Sequence, residues 1–235
     1  YYRTTCLSAA PGARFRLADW LAWAELELDN IRAVLQACVK RHDSARGLDI
    51  AASLRYYWVT HGTTESIRWL DQRLPSEDAS PQTLASAYYL RGWLSVLQAE
   101  PAAARPSLAR AAAAARNLSQ PSSLVEALSM SANVEDMLGN AAGARHFLDE
   151  ADPIAADAND YVATIELIQA QTVHAFFEGD LEAVTAGRRA YHLAELHERT
   201  RSVDDSGPSA FVPGVTPGAV AWIADDASRD FLGNE

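Results

Sequence analysis

Residues 80–117 read SPQTLASAYYLRGWLSVLQAEPAAARPSLARAAAAARN, and this stretch decides the fold. Ser80 followed by Pro81 is a helix start: a hydroxyl to accept an orphan backbone N–H, then a ring whose fixed φ suits the first helical position. The spacing predicts a helix over 82–98, a turn at Ala99-Glu100, and a second helix over 102–117. The same plan returns twice. Turn signals at Gly139-Asn140 and Gly179-Asp180 lie 40 residues apart, as does Ala99-Glu100 from the first of them. Helices are predicted on either side of each: 123–138 and 141–158, then 161–177 and 181–199. Ser123 with Glu126 has a capping-box pattern, and Asp160 and Asp180 are candidate caps. Small residues recur in register, Ala104 as Ala144 and Val184, and Ala111 as Ala151.

A helix–turn–helix unit repeated at this period is the mark of an α-solenoid, because one unit cannot bury its own apolar face and stacks on the next. The fold expected is all-α, a right-handed solenoid of tandem antiparallel helix pairs. Composition agrees: 45 of the 235 residues are alanine, and small side chains let helices approach closely. Pro106 and Pro153 fall inside predicted helices, and Pro153 is expected to end or kink its own.

Upstream, Leu17, Trp20, Leu21, Ala24, Leu28, Ile31, Leu35 and Val39 step by three or four, predicting a helix over 17–40. Further helices are predicted over 46–61 and 64–74. Five segments result: an N-terminal extension (1–16), a helical segment (17–78), the repeats (79–200), a loop (201–218) rich in proline and glycine, and a last helix within 219–235. That helix would leave Trp222, Ile223 and Phe231 exposed, which suggests a truncated repeat or a homodimer contact.

The chain carries 20 basic and 31 acidic residues, a net charge of −11. The charge is uneven: residues 1–120 hold 14 basic and 11 acidic side chains, or +3, and residues 121–235 hold 6 and 20, or −14. So acidic a repeat half is a poor electrostatic partner for nucleic acid, and direct binding of it is not expected. No run of apolar residues is long enough for a membrane span, and no leader pattern is evident. Two cysteines, Cys6 and Cys38, make no disulfide framework, so a cytoplasmic location is expected. The chain opens on Tyr1 rather than Met and reads as a piece of something longer.

Catalytic patterns are absent from the sequence: no Gly-x-x-x-x-Gly-Lys, no Gly-x-Ser-x-Gly, no His-Glu-x-x-His. His192 and His197 are five apart and fall on different helix faces. Glu25, Glu27 and Asp29 form an acidic stripe that Arg32 can answer at i+3. No enzyme activity, metal or cofactor is expected. In helical-pair solenoids the first helix of each pair lines the concave face. In a frame anchored on Gly92 that face would carry Tyr89, Trp93, Glu126, Asn133, Asp136, Glu166, Gln169 and Phe176. This mixture of rings and polar groups suits a peptide or small molecule.

Residues 88–99, with Gly92, Ala104, Leu108 and Ala111, resemble a tetratricopeptide repeat, although Ala132 and Thr172 stand where Gly92 does in the later units. Trp20 to Leu35 (WLAWAELELDNIRAVL), Gly47-Leu48, Ala51 to Leu54, Tyr57-Trp58, His61-Gly62, Glu65 and Arg68-Trp69-Leu70 together resemble a segment that follows the ATPase module of large bacterial LuxR-type transcriptional regulators. The resemblance implies a sensor region that binds a protein or small-molecule inducer and relays it to ATPase and DNA-binding domains of the same polypeptide, outside these residues. A structural or oligomerisation scaffold without a ligand is the competing reading.

Overall fold

The computed structural model describes residues 1–10, 13, 16–116, 118, 121–158 and 160–206, with side chains as far as residue 196. Among the described residues there are eleven helices and no strand. They are α1 (Tyr2–Ala9), α2 (Leu17–Lys40), α3 (Ser44–Ser53), α4 (Arg55–His61), α5 (Thr63–Asp71), α6 (Pro81–Leu97), α7 (Pro101–Ala115), α8 (Ser122–Met137), α9 (Ala141–Ala158), α10 (Tyr161–Glu178) and α11 (Leu181–Ser206). None is long and apolar enough to cross a membrane.

Neighbouring helices pack as pairs: α6 on α7, α8 on α9, α10 on α11. The second helix of one pair meets the first of the next, α7 on α8 and α9 on α10, and α8 also packs on both α6 and α10. The turn within each pair is built identically. Ala99, Gly139 and Gly179 take left-handed φ angles of 59°, 74° and 75°. Each donates its N–H three residues back, to Val96, Asp136 and Phe176, and the next residue donates five back, to Ser95, Glu135 and Ala175. This Schellman geometry satisfies carbonyls that the helix end leaves orphaned. The residue after the left-handed one then starts the next helix. Asn140 and Asp180 accept from the N–H groups of Gly143 and Ala183.

A fourth copy of this turn is less legible in the sequence. His42, at φ 55°, bonds Val39 O, and Asp43 bonds Cys38 O and caps α3 through Arg46 N–H. Thus α2 and α3 are joined as the later pairs are, outside the 40-residue register.

Where the helices of a pair touch, bulk on one is matched by its lack on the other. A Cβ at Gly92 would sit 2.6 Å from Leu108 Cδ2. In the last pair the roles reverse: Thr172 stands where Gly92 does, and Gly187 on α11 gives it room. The core continues into the N-terminal helices, where Trp58, Ile31, Leu35, Leu48, Ile50, Leu54 and Leu70 are fully buried. Each such side chain contributes about 1.5–3 kcal/mol by leaving water. Most apolar residues that carry the regulator resemblance are in this core.

Within residues 1–16, α1 packs on α3 and is pinned by Arg3 to Asp49 at 2.6 Å and by the Tyr2 hydroxyl to Glu27 at 2.6 Å. Several sequence expectations need correction. The helix expected over 46–61 is broken at Leu54. There Ala51 O accepts from Leu54 N–H and from the Trp58 indole at 2.9 Å, which diverts it from the next helical bond. Pro153 does not end its helix, which spans Ala141–Ala158 as the spacing predicts. The ring removes one intrahelical bond, while Ala144, Leu148, Ala151 and Ala155 bury a continuous face on both sides of it. The Ser123–Glu126 capping box does not form, because α8 starts one residue earlier and has no side-chain cap. The loop expected over 201–218 begins later than expected, since α11 continues to Ser206. The remainder of that loop and the last helix lie outside the described residues.

Candidate functional site

The break at Leu54 decides where Arg55 points. As the first residue of α4 it reaches α8, 71 positions on, and its Nη1 donates to Glu126 Oε1 at 2.9 Å. The guanidinium lies over two rings, 5.0 Å from the centre of Tyr56 and 6.0 Å from that of Tyr89. The pair is largely buried, with side-chain exposures of 25% for Arg55 and 12% for Glu126. Burial opposes the charge on Arg55, yet the carboxylate of Glu126, then Tyr56, Tyr89 and Glu166, together raise its pKa well above the ordinary arginine value. Burial, then Glu166 and Glu126, pushes the Tyr89 hydroxyl far up, so it stays protonated. Trp93 is half-buried one turn on, its ring 5.9 Å from that of Tyr89.

Three of the eight candidate residues read from the sequence, Tyr89, Glu126 and Glu166, therefore act on one arginine that the sequence reading did not include, and a fourth, Trp93, stands against Tyr89. The neighbouring Tyr56-Tyr57-Trp58 run was the visible signal; the helix break that turns Arg55 toward it was not.

Asp136 lies ten residues beyond Glu126, about 15 Å along α8. It is buried against His174 of α10, Oδ1 to Nδ1 2.9 Å. Burial raises the Asp136 pKa, and the hydrogen bond from His174 offsets part of the rise. His174 Nε2, Ser129 Oγ and Asn133 Oδ1 are also buried, and none finds a hydrogen-bond partner. Ser129, Asn133 and Asp136 share a face of α8 at steps of four and three. Gln169 is half-buried on α10, and Phe176 is exposed at its C-terminal end, its ring 5.8 Å from that of Phe177. The two clusters are thus separate: a cation between rings and carboxylates at one end of α8, and an Asp–His pair at the other.

The remaining candidates from the sequence resolve into packing. Arg32 pairs with Asp29 at 3.1 Å as expected, and with Glu65 as well. Cys38 is buried, and burial raises its thiol pKa. His61 stacks on Tyr57 at 5.3 Å. Among the described residues no group of three or more His, Cys, Asp or Glu side chains is placed to hold a metal. No protein-family model, curated protein or solved structure matches the chain. The class that fold and site define is a chain of antiparallel helix pairs with a polar, aromatic cluster on the first helices.

Proposed function

We propose that this chain is a non-catalytic sensor or interaction region, a right-handed tetratricopeptide-like solenoid from a cytoplasmic transcriptional regulator. It binds a protein or small-molecule inducer on the face formed by α4, α6, α8 and α10. The observation that carries this reading is the convergence of Tyr89 of α6 and Glu126 of α8 on Arg55 of α4, with Trp93 against the Tyr89 ring. Rings supply contact area at low entropic cost, and a partly buried ion pair fixes the orientation of a polar ligand. The 40-residue period with identical Schellman turns supports the repeat assignment. The regulator assignment rests on the sequence resemblance over residues 17–74. The ATPase and DNA-binding domains belong to other parts of that polypeptide.

A thermal-shift screen of small metabolites and a peptide library tests the binding face. Hits should stabilise the wild type and lose their effect in Trp93→Ala, with helicity unchanged by circular dichroism. Hits that stabilise both proteins equally would remove the face from consideration.

A second reading, an oligomerisation scaffold, is favoured by Leu181, Leu193 and Leu196, which are 72%, 61% and 59% exposed on α11. Sedimentation that shows a strict monomer at high concentration would exclude it.

A further inference from the structure

On the other side of the break, α2 and α5 bound an open depression of about 580 Å³, lined by Arg32, Gln36, Glu65, Arg68, Trp69 and Gln72. Its charges fall into two groups. Glu65 is fully engaged: it accepts from Arg32 Nε at 2.8 Å, from Arg32 Nη2 at 2.7 Å and from the Trp69 indole at 3.0 Å. The hydrogen bond from Arg32 holds its carboxyl below the ordinary glutamate range, so it stays ionised and paired. Arg32 is held in turn by Glu65 and Asp29.

Arg68 is different. It is exposed, it lies 5.7 Å from the centre of the Trp69 ring, and among the described residues its side chain makes no ion pair or hydrogen bond, its charge acting on Glu65 only at longer range. Its planar fork stands beside the Trp69 ring, which also carries Arg73 at 5.1 Å, and the fork matches the two oxygens of a carboxylate. Gln36 and Gln72 line the same depression, both exposed and with no side-chain hydrogen bond among the described residues. A glutamine amide offers one acceptor and two donors, which is what a peptide backbone can answer with its own C=O and N–H groups.

We infer that this depression docks an acidic peptide segment of a partner protein. Arg68 takes a side-chain carboxylate, and Gln36 and Gln72 take the backbone around it. The local charge favours this: with Arg32 paired to Glu65 and Asp29, Arg68 is the lining cation whose side chain makes no ion pair among the described residues. The surface is separate from the Arg55 cluster, and neither reading depends on the other.

The test is titration of the whole chain with a glutamate-rich peptide, followed on the ¹⁵N-indole signal of Trp69, which Trp69→Phe identifies by its loss. The expected result is a saturable shift, weakened roughly tenfold or more in Arg68→Gln, as loss of a charge-assisted hydrogen bond requires, and unchanged in Arg41→Gln. Arg68 is exposed, so the variant keeps the fold, which circular dichroism checks. Equal binding by Arg68→Gln, or no saturable shift in the wild type, overturns the proposal. A parallel titration with inorganic phosphate separates the sources: an Arg68-dependent shift with phosphate but not with the peptide also overturns it.

Discussion

Replacing Gly92 by alanine tests whether α6 and α7 are packed as closely as the repeat demands. The new Cβ would lie 2.6 Å from Leu108 Cδ2, 2.7 Å from its Cγ and 3.6 Å from Ala104 O. Carbon atoms rest at about 3.5–4.0 Å, so roughly 1 Å of overlap must be absorbed. Leu108 is 1% exposed and shares its cluster with Ala104, Ala111 and Ala112, so it has no open space to move into. Overpacking of this kind costs about 1–3 kcal/mol, and removing a mid-helix glycine returns about 1 kcal/mol. The net expectation is a destabilisation of about 1 kcal/mol. Leu108→Ala alone should cost about 2–5 kcal/mol through the cavity it leaves. In the double variant the alanine methyl occupies part of that cavity. Its cost should therefore fall short of the sum of the singles by about 1 kcal/mol, beyond the scatter expected of independent sites. Urea denaturation followed by circular dichroism measures all three. A Gly92→Ala protein stabilised by the full propensity gain, with additive behaviour in the double variant, would refute the close approach.

Other outcomes follow from the same structure. Ala99 holds a left-handed φ of 59° where the later turns have glycine, so Ala99→Gly should stabilise the chain by about 0.5–1 kcal/mol in the same assay. Gly139→Ala, at φ 74°, should lose a similar amount. Gly47→Ala should cost about 1–3 kcal/mol, because its Cβ would overlap Arg73 Nε and Cδ. Arg73 cannot yield, since its guanidinium is tied to Trp69 O and Leu35 O, each at 2.6 Å. The hydrogen bond from Arg105, then that from Asn140, lowers the Glu135 pKa. Its contribution is therefore present above the ordinary glutamate value and lost as pH falls through the lowered one. Glu135→Gln should lower stability at neutral pH, and the difference from the wild type should shrink only as pH falls through that lowered value.

The pairing of helices was legible because its signals are local. Ser80-Pro81, Gly139-Asn140 and Gly179-Asp180 each fix a helix end through a backbone geometry that few residues satisfy. His42-Asp43 makes the same turn, but a histidine in a left-handed conformation gives no sequence signal. The break at Leu54 was hidden for a related reason: it depends on the Trp58 indole reaching Ala51 O, a contact that helical periodicity cannot display. Tyr89, Glu126 and Glu166 come close to one another because α8 packs on both α6 and α10. Arg55 escaped because it lies outside the repeats, and His174 because it stands two positions off the register of Asp136. The helix over 141–158 was legible despite Pro153, because packing on both sides of the ring carries it on.

The account rests most on the claim that the first helices of successive pairs form one face, closed by Arg55 of α4. A double-mutant cycle of Arg55→Gln and Glu126→Gln measures this directly, since the two residues meet only if α4 and α8 are brought together across the intervening pair. The account predicts a coupling of about 1 kcal/mol or more in unfolding free energy, with little dependence on salt, because both side chains are less than one-third exposed. Coupling indistinguishable from zero would contradict it.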